Sequence, residues 1–248
     1  MAKIVANKNS LNEEIKRINA KRNREIFIWG IVVLLSVLLE QFIFTFILGI
    51  IAFFRMLSLA SPHSKVESMA SGLEGEEYAI STLRKLPDEY TVICDVNIEV
   101  DGGKSQLDFV VVGPTGIFVT EIKNWNGTIY GSEEEKEWRQ DKVGRKGGEY
   151  SRHYYNPGKQ VRTHVYRLSK LLKNNGLNSW VQGIVYFTHP RVEIHVETNK
   201  VPVFAEPKND GYDLLKYIQS EDNESLTEKQ INDIENLLVS ESNLEGTA

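Results

Sequence analysis

Two runs rich in β-branched and aromatic residues, Leu107 to Val112 and Ile117 to Ile122, flank the tetrad Gly113-Pro114-Thr115-Gly116, and no other stretch constrains the chain as tightly. Composition and punctuation predict a β-hairpin. Pro114 has its φ fixed negative, which excludes a tight two-residue primed turn and calls for a longer loop, symmetric about Pro114-Thr115. That symmetry sets Asp108 opposite Glu121 and Gln106 opposite Lys123, all on one face, with opposed Cβ atoms roughly 5 Å apart. The rest of both strands is apolar on both faces, as strands buried between two layers require. Two carboxylates forced together in an apolar sheet are costly unless a cation or a shared proton compensates. Oxygen donors favour Mg²⁺ or Mn²⁺. The alternative is an Asp–Glu pair merely solvated at a strand end.

The 248 residues accommodate one globular domain of roughly 150 to 170 residues with appendages. A single cysteine, Cys94, excludes an intramolecular disulfide and a cysteine-built zinc site. Residues 1–25 are polar and basic, with Leu11, Ile15 and Ile18 spaced for a short amphipathic helix.

From Ile26 to Phe54 the chain is apolar apart from Ser36, Glu40, Gln41 and Thr45, longer than the roughly 20 residues a spanning helix needs. A membrane segment is therefore expected over 26–54. Glu40-Gln41 divides it into halves of roughly 20 Å each as helix, so one long tilted span competes with a shallow re-entrant hairpin. With no Gly, Pro or Asn at the midpoint, the single span is preferred, its Glu40 and Gln41 facing a partner helix, which makes a homo-oligomer and the lipid bilayer expected partners. Basic residues concentrate on the N-terminal flank, which places that flank in the cytoplasm. A single span would then export the C-terminal domain, whereas a hairpin would keep it inside.

Residues 55–71 read as a linker, 72–219 as the folded domain and 220–248 as a closing helix with a frayed tail. Within the domain, Gly72 to about Leu86 predicts a helix stopped by Pro87, and Tyr90 to Val100 a strand that pairs with the central hairpin. The string GLEGE and, downstream, QLDFVVVGPTGIFVTEIKNWNG and NPxxQ resemble the nuclease-related domain (NERD) family, a branch of the PD-(D/E)XK nucleases, over about Gly72 to Phe187. The resemblance implies an α/β fold, a central mixed β-sheet flanked by helices with a restriction-endonuclease-like core, here preceded by the N-terminal transmembrane helical segment. It also implies a divalent-metal site of Glu76, Asp108 and Glu121 with Lys123 beside it, catalysing phosphodiester hydrolysis. Gln106, Trp125 and Gly127 match family positions. An inactive member that only binds nucleic acid or serves as a membrane adaptor is the rival reading.

The overall charge of −5 hides a reversal: residues 139–173 hold ten Lys/Arg against two acids. Interleaved Tyr150, His153, Tyr154 and Tyr155 fit a phosphate-tracking, base-stacking surface, so nucleic acid is the expected partner, DNA ahead of RNA; anionic lipid would also be attracted. Arg145, Lys146, Arg152, Lys159, Gln160 and Arg162 join Gln106 as candidate substrate contacts. Asn156-Pro157-Gly158 opens a helix to about Asn174 with Val161, Val165, Leu168 and Leu172 as its core stripe.

Overall fold

A computed structural model describes residues 1–6, 10–38, 42–60, 63–144, 147–205, 209–220 and 225–244. The chain divides into two compact units, Met1–Lys8 together with Glu74–Ala248, and Asn9–Leu73. In chain order the elements are β1 (Lys3–Ala6), α1 (Ser10–Leu38), α2 (Phe42–Ala60), α3 (His63–Leu83), β2 (Thr91–Val100), β3 (Gly103–Gly113), β4 (Gly116–Lys123), β5 (Gly127–Ser132), β6 (Glu137–Val143) and β7 (Glu149–Tyr155). Then follow α4 (Pro157–Asn174), β8 (Val181–Phe187), β9 (Val192–Glu197), β10 (Val203–Ala205), α5 (Tyr212–Ile218) and α6 (Glu228–Leu244).

The larger unit is a mixed α/β fold built on two mixed sheets. One has six strands in the order β1-β2-β3-β4-β8-β10 and the other four in the order β7-β6-β5-β9. The predicted hairpin is β3–β4, and its register is the expected one from Gly113 with Gly116 to Phe109 with Thr120. Strand β2 pairs with β3 as read from the sequence. One face of the six-stranded sheet packs Val92, Phe109, Val111 and Phe118 against Ala79 and Leu83 of α3 and Leu214 and Ile218 of α5. The other packs Val110, Val112, Ile117 and Val119 against Val161 and Leu168 of α4 and Ile234 and Leu238 of α6.

Several expectations are corrected. Among the described residues no helix is long and apolar enough to cross a membrane, so the N-terminal transmembrane helix is not supported. The apolar run is shared between two helices, α1 and α2, where one continuous span was preferred. Glu40 and Gln41, assigned to a partner helix, lie outside the described residues. Helix α3 starts at His63, inside the stretch read as a linker, and stops at Leu83, short of Pro87. Residues 3–6, in the basic N-terminal segment where no strand was expected, form an edge strand parallel to β2, while Leu11, Ile15 and Ile18 lie in helix α1 as their spacing suggested. The second sheet was not foreseen as a layer, because β7 is exposed along nearly its whole length and β9 alternates between half-buried and exposed residues. β7 carries no apolar signature of a strand, and β9 only the alternation of a half-buried one.

Candidate active site

The open end of the β3–β4 hairpin is where the strands cease to be regular. Between the pairs Cys94 with Phe109 and Val96 with Leu107, Asp95 and Asp108 stand opposite one another outside the ladder. Val92 and Cys94 face the α3 side, yet Val96 and Ile98 belong to the α4 side, and in β3 Leu107 likewise joins the side opposite Phe109. Both strands therefore reverse their facing at the Asp95–Asp108 step, which period-2 alternation forbids unless the backbone rotates there. Asp95 supplies that rotation with φ at 56°, a left-handed conformation that Asp tolerates better than bulkier residues.

Across the hairpin the ladder stops at Phe109 with Thr120, and the Asp108 carboxylate takes over: the Ile122 N–H donates to Asp108 Oδ2 at 2.8 Å. Glu121, 2% exposed, accepts from Lys123 Nζ at Oε1 (2.6 Å), and His164 Nε2 lies 3.4 Å from its Oε2. Lys123 Nζ also donates to Gln160 Oε1 at 3.4 Å. Glu121 and Lys123 thus meet Gln160 and His164, which are one turn apart on α4.

Burial above all, then the Glu121 and Glu76 charges, pushes the Asp108 carboxyl from 3.8 up to about 8, against the opposing pull of the Ile122 N–H and Lys123. Burial also works to raise Glu121, but His164 and Lys123 outweigh it and hold that carboxyl below its ordinary range. Glu76 rises from 4.5 to about 7, through burial first and then the charges of Asp95 and Glu77. Glu76 is half-buried while Glu77 is exposed, so one of the two adjacent acids turns inward. These environments keep protons on Asp108 and Glu76 while Glu121 is matched by Lys123, so a bound cation would have to displace those protons.

The sequence motifs have identifiable physical tasks. A Cβ on Gly75 would come 2.7 Å from Asn124 Cβ and 2.9 Å from Thr188 Oγ1, so glycine lets α3 approach the ends of β4 and β8 and deliver Glu76. Gly127 has φ at +82°, and a Cβ there would meet the Asp141 carbonyl oxygen at 2.3 Å. In NPxxQ, buried Asn156 caps α4 by accepting from the Gly158 and Lys159 N–H groups, while its amide donates to the carbonyls of Ser132 and Glu135. Pro157 takes the first turn, where a missing N–H is harmless. Gln160 is thereby aimed at Lys123. Trp125 packs against Tyr154 and Phe187, with ring centroids 4.6 and 5.6 Å away, and acts as a lid of the core.

Not every predicted contact converges. Gln106 is exposed and donates to Asp95 Oδ1 at 2.7 Å; its register partner is Asn97 in β2, and it is not paired with Lys123 across the hairpin. The early end of the β3–β4 ladder is the reason. Arg145 and Lys146 lie outside the described residues. Arg152 is exposed on β7, stacked 5.5 Å from the Tyr150 ring. Lys159 donates to the Glu134 carbonyl at 2.6 Å, and Arg162 pairs with Glu133 at 3.6 Å.

Three contributors escaped the sequence reading. Asp95 showed only as an acid interrupting TVICDVNI. His164 was marked solely by its helical spacing from Gln160. Behind it, Ser105 Oγ lies 3.1 Å from His164 Nδ1 and accepts from Arg167 at 2.6 Å, a chain with no local signature.

A mixed sheet with helices on both faces, an Asp where a central strand breaks register and a Glu-x-Lys on its neighbour define a nuclease-like α/β protein. Residues 71–188 match the model of the nuclease-related domain family, and that placement of the segment is consistent with the PD-(D/E)XK superfamily. A Bacillus anthracis protein, itself uncharacterized, is 28% identical over 167 residues, covering 66% of this chain and 73% of that protein. No solved structure matches the chain.

Proposed function

We propose that the chain is a metal-dependent phosphodiester hydrolase acting on nucleic acid, DNA in preference to RNA. The observation that carries the reading is the placing of Asp108, whose Oδ2 accepts from the Ile122 N–H, beside a Glu121 already paired with Lys123, so that the Asp108 carboxyl keeps a proton unless a cation takes its place. Among the described residues no group of three His, Cys, Asp or Glu side chains is already gathered to hold a metal. Two neighbouring carboxylates are what Mg²⁺ commonly takes, its shell being completed by water and substrate phosphate. Asp108 and Glu121 are the ligands this geometry offers, with Glu76 as a third or as an outer partner. When bound, the cation supplies Lewis acidity and a water of lowered pKa. Lys123 holds its ammonium at the mouth of the site, against Glu121 and Gln160, where it can orient a nucleophile or offset developing phosphate charge. His164 fixes the Glu121 carboxylate from the α4 side.

Substrate delivery is assigned to the neighbouring face of α4. Lys159, Arg162, Thr163 and Tyr166, with Tyr155, line an open cleft of about 450 Å³. Cations for phosphates and exposed tyrosines for bases are the elements of a single-strand track. Incoming phosphate would have to take Arg162 from Glu133.

The Lys123–Glu121 ion pair also favours a second reading, in which Lys123 is only a salt partner and the fold binds nucleic acid without cutting it. Labelled single- and double-stranded DNA and RNA, incubated with the full chain in Mg²⁺, Mn²⁺ or EDTA and with D108A and K123A, separates the two. Hydrolysis that needs metal and disappears in both variants supports the enzyme. Binding without cleavage supports the second reading, and identical metal-independent signals from all three proteins refute hydrolysis.

A further inference from the structure

The segments before and after the apolar run belong to one folded sheet. Strand β1 pairs in parallel with β2, Lys3 with Thr91 through Ala6 with Cys94. The Ala2 N–H donates to the Arg84 carbonyl and the Lys3 N–H to the Tyr90 carbonyl, at 3.2 and 3.0 Å, and Ala2 itself is buried. A chain that crossed a bilayer once between Ala6 and Thr91 would leave β1 and β2 on opposite sides, so any membrane passage has to return.

The intervening helices have the form of a return. Glu25 Oε2 and Arg55 Nη2 form an ion pair at 3.1 Å, which brings the start of the apolar part of α1 beside the end of the apolar part of α2. The two helices therefore run antiparallel. Residues 26–38 and 42–54 each extend about 20 Å as helix, short of the roughly 30 Å hydrocarbon core.

Apart from a half-buried stripe that includes Trp29, Val32 and Val33 of α1 and Leu48 and Ala52 of α2, the apolar surface of the described residues is exposed. Phe27, Leu34, Leu35, Phe46, Phe53 and Phe54 are between 52% and 72% exposed. Adjacent residues such as Phe53 and Phe54 point about 100° apart around a helix, so a single protein partner would cover one stripe and leave the rest in water. Hydrocarbon covers all of it. Lys16, Arg17, Lys21, Arg22 and Arg24 precede the apolar part of α1 and Arg55 ends that of α2, placing cations at the same end of the pair, where anionic headgroups lie.

We propose that α1 and α2 form a re-entrant hairpin seated in one leaflet of a bilayer, with the Glu25–Arg55 end at the headgroups. Both flanks, Met1–Lys8 and Glu74–Ala248, then occupy the cytoplasmic side, which resolves the conflict that a single span created. The inference is independent of the reaction the larger unit performs.

Single cysteines at two exposed positions, N23C before the hairpin and E89C after it, test it in the full chain, where native Cys94 is buried and free. A membrane-impermeant maleimide is applied to sealed inside-out and right-side-out vesicles from expressing cells. Labelling of both cysteines in inside-out vesicles and of neither in right-side-out vesicles is expected. Labelling of the two from opposite faces would establish a crossing and overturn the proposal. In parallel, purified chain is floated with phosphatidylcholine–phosphatidylglycerol vesicles, where co-flotation is expected. A chain that stays at the bottom as a higher oligomer would show that its own copies, not lipid, cover the helices, and would also overturn it.

Discussion

Asp108→Asn removes a charge while keeping an oxygen to accept from Ile122 N–H, and it should make the metal-free protein more stable. In the folded chain the carboxyl sits at about 8, against 3.8 when unconstrained. Between those values the native state binds a proton that the unfolded chain has released, so wild-type stability falls as pH rises through this window. At pH 7 the distance travelled is about three units at about 1.4 kcal/mol each, an upper figure of about 4 kcal/mol. Water reaching the half-buried site lowers this to about 2–4 kcal/mol. Urea unfolding in EDTA and non-ionic detergent, followed by tryptophan fluorescence at pH 5, 7 and 8.5, reads the difference between the two proteins. The advantage of D108N should be small at pH 5, grow to pH 8 and then level off. Saturating Mg²⁺, which stabilises only the form that binds it, should shrink or reverse that advantage. A difference that is independent of pH, or a D108N protein less stable throughout, would refute the electrostatic account of the site.

Three further outcomes follow from contacts described above. His164→Ala should lower Mg²⁺ affinity or turnover by about 10- to 100-fold, and His164→Gln, which can still donate to Glu121, should recover most of it; equal activity in all three would remove His164 from the site. Asn156→Ala deletes the α4 cap and strands the Glu135 carbonyl, while Ser132 keeps its bond from the Trp138 indole, so the urea midpoint should report a loss of about 2–3 kcal/mol. Gly75→Ala places a methyl against Asn124 and Thr188 and should cost about 1–3 kcal/mol. Because it shifts Glu76 as well, it should reduce metal affinity, which isothermal titration would measure.

The core hairpin was legible because its information is local. Strand identity, turn and register all lie between Leu107 and Ile122, and apolar alternation leaves one pairing that buries both faces. The core stripe of α4 was legible for the same reason, through helical spacing. The polar strand β7 was not, since it follows no buried period and only its neighbours in the second sheet make it a strand; β9 does alternate apolar and polar residues, Val192, Ile194 and Val196 facing the core, and was passed over as a polar loop. Nor was β1 legible, since four residues, Lys3 to Ala6, hold too little signal and their partner lies at Thr91–Cys94.

What the sequence determined alone was which acids and which lysine share a hairpin end, that Gln160 lies early on α4, and that an apolar run interrupts the chain before the domain. Tertiary structure decided how those groups are used. The facing reversal at Asp95 and Asp108, the inward turn of Glu76 and the arrival of His164 depend on α3 and α4 packing on opposite faces of the sheet. Likewise the pairing of β1 with β2 decides that any membrane passage of the apolar run would have to return to the side it left. Each of these arises from contact between segments distant in sequence, and local propensity carries no information about such contact.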